Sequence, residues 1–147
     1  MNAITMSLRV TAAGPALRVS AGRRQFSIGR PVEFDEASPH VPALEYALGA
    51  VGGEIVNGLR EFARRRRIAI DAIEALVTGE LQHALTYLEV VGETTPPRVA
   101  RIAVKVFASA PDEAAVRALF AAMLDRLPLT CTLRDTVEVK TELILTS

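Results

Sequence analysis

The amino-acid sequence predicts an α+β protein with mainly antiparallel sheets, and the order of its apolar patterns supports this class. A pattern with a period of two residues opens the chain, and a pattern with spacings of three and four occupies its middle. The strand-like period then returns, followed by a shorter helical pattern and a last alternating segment. Because strands and helices are grouped rather than regularly alternating, a repeated βαβ fold is disfavoured.

The first third of the chain is predicted to consist of strands and turns. Residues 4–10 alternate apolar and polar side chains, as a half-buried strand does. A break at Ala13-Gly14-Pro15 separates them from further strands at Leu17–Val19 and Phe26–Ile28, which indicates a small antiparallel meander. Residues 30–41 carry two prolines and several acids and are expected to form a connecting loop.

Apolar spacings of three and four predict one long helix from about Pro42 to the Arg64–Arg67 run. Basic residues in a last turn suit the helix dipole. Its apolar stripe comprises Leu44, Leu48, Val51, Ile55, Leu59 and Phe62. Four glycines lie in this helix, although each costs about 1 kcal/mol relative to alanine. Two of them, Gly49 and Gly53, share a face. We therefore expect a second helix to approach closely there.

Alternation after the helix predicts strands around Ile73–Thr78, Leu85–Val91 and Arg101–Val106, and a last strand over Val137–Leu145. A shorter helix begins at Pro111-Asp112-Glu113, and Pro128 is expected to end it. The apolar face of that helix comprises Val116, Leu119, Phe120, Met123, Leu124 and Leu127. We expect one domain over residues 1–147.

The composition disfavours several classes of protein. Seventeen basic and seventeen acidic residues cancel, so neither nucleic acid nor an anionic membrane is expected as a partner. A single cysteine excludes an internal disulfide and favours a reducing compartment. Residues 1–10 lack the pattern of a secretory signal, and residues 42–59 are too polar for a membrane span. We therefore expect a cytoplasmic location.

No metal and no cofactor is expected. His40 and His83 have no Cys, His, Asp or Glu neighbours at metal-ligand spacing. The sequence contains no P-loop, GxGxxG or GxSxG pattern, and Gly52-Gly53 lies within a helix rather than at a strand–helix turn.

Two segments resemble the OsmC/Ohr family, named for osmotically induced protein C and for organic hydroperoxide resistance. The first is similar to the family's long central helix, which carries a reactive cysteine, and reads ALEYALGAVGGEIVNGLREFARRRRI (residues 43–68). The second is similar to the family's closing helix, Cys-Pro-Val turn and strand, and reads LFAAMLDRLPLTCTLRDTVEVKTEL (residues 119–143). The resemblance implies an intertwined homodimer whose sheets wrap around a pair of central helices.

Both family cysteines are missing from this sequence. Alignment on Ala63 and Ile68 places Glu54 at the first cysteine, whereas alignment on Pro42 places Gly53 there. Leu127-Pro128-Leu129 stands in place of Cys-Pro-Val. Peroxide reduction in the family needs a thiolate that attacks oxygen and a second thiol that resolves the sulfenic acid. The resemblance therefore implies an OsmC-like protein without this chemistry.

The N-terminal arginine that activates the thiolate in the family has no unique equivalent, since Arg9, Arg18 and Arg23 are all alternatives. The Arg64–Arg67 run either binds phosphate or an acidic partner, or forms a solvated helix end.

The candidate ligand pocket comprises Gly53, Glu54, Leu127 and Cys131. Glu54 is either a helix residue that pairs with an arginine or lines a dimer seam, or a pocket carboxylate that contacts a ligand or transfers protons. Cys131 is a small residue at a turn or strand start, a relocated redox thiol, or a surface thiol.

The leading hypothesis is a non-peroxidatic homodimer whose inter-subunit cleft binds a small, partly apolar molecule. The alternatives are a thiol-dependent organic hydroperoxide reductase that uses Cys131, a protein-interaction module, and a proton-transfer enzyme that uses Glu54.

Overall fold

The computed structural model describes residues 2–146. The chain forms two compact units, one up to Ala47 and one from Leu48 onward. It contains two three-stranded sheets and one long helix, which confirms the predicted α+β class. Among the described residues, no helix is long and apolar enough to cross a membrane.

The first unit contains a meander of three antiparallel strands, β1 (Arg9–Ala13), β2 (Ala16–Ala21) and β3 (Arg24–Ile28). Gly14 and Gly22 occupy the two turns with φ of 71° and 63°, a backbone region that glycine adopts without strain. The predicted meander and the loop over residues 30–41 are confirmed. At the base of that loop the Gly29 N–H donates to the Val41 carbonyl at 2.8 Å.

The predicted strand over residues 4–10 begins too early. β1 starts at Arg9, which pairs with Ser20 of β2. β2 ends at Ala21, so the residues before Arg9 have no neighbouring strand to pair with in that sheet. Their apolar side chains are consequently exposed, Ile4 by 87% and Met6 by 83%.

The long helix is confirmed as α1 (Ala43–Arg66). Its buried face, with Val51, Ile55 and Leu59, forms part of the core of the second unit. The helix ends at Arg66; the next residue, Arg67, has a φ of 57°, and the Ile68 N–H donates back to the Ala63 carbonyl at 2.9 Å. This arrangement satisfies one of the carbonyls that a helix C-terminus leaves free.

Close packing on α1 occurs at different glycines from those predicted. A Cβ added at Gly52 would lie 2.5 Å from Cγ2 of Val77, and a Cβ at Gly58 would lie 2.7 Å from Cδ2 of Leu127. At Gly49 and Gly53 a Cβ would meet no atom of the described chain within 4 Å. Among residues 2–146, no second helix approaches closely at Gly49 and Gly53.

The second unit contains a sheet in the order β4 (Ala72–Gln82), β5 (Arg98–Ser109) and β6 (Glu138–Leu145). β4 and β5 are antiparallel, whereas β5 and β6 are parallel. The helical segment between β5 and β6 provides the crossover that a parallel pair requires. The predicted strands at residues 73–78, 101–106 and 137–145 are confirmed, the last of them beginning at Glu138.

The predicted strand at Leu85–Val91 is wrong. This segment lies in the connection between β4 and β5, whose pairing ends at Gln82 and Arg98. It begins with a short helix, α2 (Ala84–Tyr87), after His83 with φ of 57°. Leu85, Tyr87, Leu88, Val90 and Val91 are exposed, so this apolar run joins neither a sheet nor the core.

The shorter helix is confirmed as α3 (Glu113–Met123), and Asp112 caps it by accepting a hydrogen bond from the Ala115 N–H at 2.9 Å. Pro128 does not end this helix as predicted. A 3-10 turn follows α3, and Pro128 instead occupies the first turn of another helix, α4 (Pro128–Leu133). A proline is well suited to that position because the first helical N–H needs no partner within the helix.

Candidate functional site

The carboxylate of Glu54 binds the N-terminus of α4. Oε1 accepts a hydrogen bond from the Leu129 N–H at 2.7 Å, and Oε2 accepts one from the Thr130 N–H at 2.8 Å. The Thr130 hydroxyl donates a third, also to Oε2, at 2.8 Å. Glu54 is half-buried, and Thr130 is buried with 4% exposure. One side chain of α1 thus holds three donors of a segment about 75 residues further along the chain.

The sequence of α4 explains why it needs a partner for these donors. The first N–H groups of a helix have no acceptor within the helix. The residue that would cap α4, Leu127, has no side-chain oxygen, and no side-chain cap is formed there. Glu54 therefore accepts hydrogen bonds from the first N–H groups of α4, a role that ordinarily belongs to the capping residue of the same helix.

Leu127, which stands at the second cysteine position of the resemblance, is buried with 3% exposure. Its side chain lies over Gly58 on α1, where a Cβ would be too close to it. A leucine here therefore contributes to the hydrophobic core and cannot take part in redox chemistry.

Cys131 lies in the middle of α4 rather than at a turn or strand start, which corrects the expected local structure. The thiol is half-buried, and its Sγ–H donates to the Leu124 carbonyl at 3.5 Å. Arg134, one turn further on, is paired with Asp125 at 2.7 Å. No second cysteine exists in the chain to resolve a sulfenic acid on Cys131.

The remaining predicted residues are dispersed. Arg9 lies on β1, Arg18 on β2 and Arg23 in the following turn, and all three are exposed. The Arg64–Arg67 run is exposed at the end of α1. Arg64 pairs with Glu61 at 3.0 Å, and Arg65 lies over the Phe62 ring at 5.4 Å. In residues 2–146, no three His, Cys, Asp or Glu side chains are grouped as a metal site would require.

The structure thus brings Glu54 and the segment after Leu127 together, as the family alignment suggested, and adds two residues that the sequence did not single out. The sequence around Thr130 does not indicate its contact with Glu54, since it shows only a polar residue two positions after Pro128. Gly58 is one of the four glycines of the long helix, and only the structure shows that the Leu127 side chain lies against it. The ligand-pocket role of Gly53, Glu54, Leu127 and Cys131 stays a prediction.

Comparison with known proteins yields similarity at the level of structure. No family model matches the sequence, and no curated protein matches it either. An OsmC-like protein from Mycoplasma pneumoniae superposes with a TM-score of 0.78 at 12% identity, covering 98% of this chain and 99% of that one. An OsmC-like protein of unknown function from Vibrio cholerae gives 0.73 at 13% identity, covering 97% and 100%.

The organic hydroperoxide resistance protein OhrB of Bacillus subtilis is also similar, with a TM-score of 0.66 at 17% identity over 96% of this chain and 98% of that one. At these identities the likeness establishes the fold. The chain therefore has the OsmC-like fold, with a single cysteine in its sequence.

Proposed function

We propose that this protein is a non-peroxidatic OsmC-like homodimer that binds a small, partly apolar molecule. The observation that carries the proposal is the carboxylate of Glu54, which alignment on the helix end places at the first family cysteine. That carboxylate accepts three hydrogen bonds from Leu129 and Thr130, directly after the second cysteine position. On that alignment, both positions of the family's thiol pair have structural roles in this chain.

The chemistry of these groups supports the loss of peroxidase activity. A carboxylate cannot be oxidised to a sulfenic acid and regenerated by a second thiol. Glu54 is also poorly suited to proton transfer, because its two oxygens already accept three hydrogen bonds from protein donors. We therefore assign the carboxylate a structural role, as the hydrogen-bond acceptor for the start of α4, rather than a catalytic one.

Two features of the chain support a second copy as its partner. A Cβ added at Gly49 or Gly53 would meet no atom of the described chain within 4 Å, so this face of α1 has room for the close approach of another helix. The alternating segment before β1 has exposed apolar side chains and no strand beside it in its own sheet. A single cysteine also suits a reducing, cytoplasmic setting.

The test is thiol-dependent consumption of an organic hydroperoxide by the purified protein, with Cys131→Ser alongside. We expect no turnover above the uncatalysed rate from either protein. Turnover that disappears in Cys131→Ser would overturn the proposal and make Cys131 a working nucleophile. Turnover retained in Cys131→Ser would also overturn the proposal, because the protein would then consume hydroperoxide without its cysteine.

A further inference from the structure

The connection between β4 and β5 forms an arch that presents apolar side chains to solvent. The arch comprises residues 84–97 and begins with α2. The Thr86 hydroxyl donates to the Thr95 carbonyl at 2.6 Å, and the Val90 N–H donates to the Leu85 carbonyl at 3.1 Å. Because these bonds close the arch on itself, its apolar side chains form a defined surface. The exposed ones are Leu85, Tyr87, Leu88, Val90 and Val91.

The first sheet carries another exposed apolar surface, which we call the first-sheet face. Residues that pair directly across antiparallel strands lie on the same face of a sheet. The observed pairing therefore places on one face Val10, Ala12, Leu17, Val19, Phe26 and Ile28. Tyr46, in the first turn of α1, covers part of this face, with its ring 5.3 Å from that of Phe26. Val10, Leu17 and Phe26 are nevertheless exposed.

Most of the exposed large apolar side chains in residues 2–146 belong to these two surfaces. There are fourteen of them, of which five lie on the arch and three on the first-sheet face. Three more, Ile4, Met6 and Leu8, continue the alternation of the face ahead of β1. Monomeric proteins rarely expose contiguous apolar patches beyond roughly a few hundred Å². Two such patches on one chain indicate surfaces that a partner covers.

The charges of the two surfaces are opposite in sign. Glu89 and Glu93 are the only charged residues of the arch, whereas residues 2–32, which contain the first sheet, carry five arginines and no Asp or Glu. One of these arginines, Arg24, alternates with Phe26 along β3 and so lies on the first-sheet face itself. Among the described residues, neither the two glutamates nor the five arginines form a salt bridge. Each surface thus has its complement, in polarity and in charge, on the same chain.

We infer that the arch of one copy docks on the first-sheet face of a second copy, with Arg24 beside the glutamates of the arch. In a two-fold dimer each copy supplies both surfaces, so the contact is formed twice. The inference rests on the homodimer of the proposed function and names a further part of its interface, separate from the Gly49–Gly53 face of α1. It does not depend on the missing cysteines.

Sedimentation equilibrium of the full chain tests the contribution of the arch. Leu88→Asp should raise the dissociation constant of the dimer about tenfold or more, because a carboxylate would have to be buried against an apolar surface. Leu76→Asp is the matched control, since Leu76 is likewise about half exposed but lies on β4 outside the arch. The control should associate as the parent does, and circular dichroism should show the same fold for all three proteins.

Reversal of the charges tests the pairing of the two surfaces. Arg24→Glu should weaken association, because it places a like charge opposite the arch. Addition of Glu89→Arg and Glu93→Arg to that variant should strengthen association again, since the charges are then opposite once more.

A spin label on one copy tests which residues of the other copy lie beside the arch. Val91→Cys in a Cys131→Ser background carries the label, and this protein is refolded together with isotope-labelled parent protein. In the mixed dimers, amide signals of residues 4–12 and 24–28 of the isotope-labelled copy should broaden. The same label at Leu76→Cys should broaden them less.

Three results would overturn the inference. They are equal dissociation constants for Leu88→Asp and Leu76→Asp, a charge-reversed variant that associates no more tightly than Arg24→Glu, and no broadening of the first-sheet amides by the label at position 91. Each of them leaves a dimeric parent protein intact, whereas a monomeric parent protein would overturn the proposed homodimer itself. None depends on hydroperoxide turnover, so a failure of this inference and a failure of the proposed function are distinguishable.

Discussion

The carboxylate of Glu54 accepts three hydrogen bonds from the start of α4. Hydrogen bonds to an ionised group contribute about 1.5–3 kcal/mol each, and removing the acceptor also leaves buried donors unsatisfied. Leu129 and Thr130 donate their backbone N–H groups to it, and no residue of α4 offers an alternative cap. We therefore expect Glu54 to be one of the most important polar residues for the stability of the second unit.

Gly52 is a second residue whose identity is fixed by a neighbour. Gly52→Ala would bring a methyl group to 2.5 Å from Cγ2 of Val77, a β-branched side chain with few alternative rotamers. We expect a loss of about 1–3 kcal/mol in the free energy of unfolding from overpacking, partly offset by about 1 kcal/mol of helix propensity. Urea denaturation measures this change.

Val77→Ala provides the control for that prediction, because it removes the methyl group that obstructs residue 52. The double variant Gly52→Ala/Val77→Ala should be more stable than the sum of the two single effects predicts. Strict additivity would show that Gly52 is required for another reason.

Neighbouring strands of the second sheet also carry a cluster of exposed, paired charges. Arg101 donates to Glu138 at 2.9 Å, and Lys140 lies 3.2 Å from the other oxygen of the same carboxylate. The Arg101 hydrogen bond, and after it the Lys140 one, hold the pKa of Glu138 below its ordinary value. Since this pKa is lowered in the folded state, the pair stabilises the fold above the unfolded-state pKa. That contribution is lost as the pH falls through the lowered value.

Arg101→Met should therefore raise the pKa of Glu138 toward its ordinary value, as followed by NMR titration of the side-chain carboxyl. Lys105→Met, a neighbouring change on β5, should leave that pKa as it is. Because both partners of the Arg101 pair are about half exposed, the stability change should be small. A pKa of Glu138 that is the same in Arg101→Met and in the parent would contradict this account of the sheet face.

The elements also show which sequence patterns are informative. α1, α3 and the strands of the second sheet followed from periodicity, because each has a buried face that selects apolar residues. The strand predicted at Leu85–Val91 is wrong because an apolar run forms a strand only where a partner strand can pair with it. The helix end predicted at Pro128 is wrong because a proline fits the start of a helix as well as the residue after its end.

The candidate site was predictable in part. An odd carboxylate at position 54 and the missing cysteines were visible in the sequence and in its resemblance to the OsmC/Ohr family. The bonds to Leu129 and Thr130 were not, because they join positions 75 and 76 residues apart through backbone N–H groups. The need for a glycine at position 58 could not be predicted either, because it arises from the Leu127 side chain that the fold places against it.

In solution, we expect two copies of this chain to associate. By light scattering after size exclusion, the parent protein should have twice the chain mass of 15.8 kDa. Gly53→Leu should shift it toward the monomer, because a large side chain would obstruct helix contact on that face. Arg66→Leu, on the same helix but at its exposed end, should remain a dimer.

A monomeric parent protein would contradict the proposed assembly. A Gly53→Leu variant that remains dimeric would instead show that the interface lies elsewhere than the Gly49–Gly53 face of α1.

Most of the argument depends on the carboxylate of Glu54 holding the start of α4 through Leu129 and Thr130. A double-mutant cycle with Glu54→Gln and Thr130→Val, followed by urea denaturation, tests it most directly. We predict that Glu54→Gln costs about 2–4 kcal/mol and that the two positions are coupled by about 1–2 kcal/mol. Glu61→Gln, an exposed change on the same helix, should cost less than about 1 kcal/mol and show no coupling to Thr130→Val. A Glu54→Gln variant as stable as Glu61→Gln, with no coupling to Thr130, would contradict the claim.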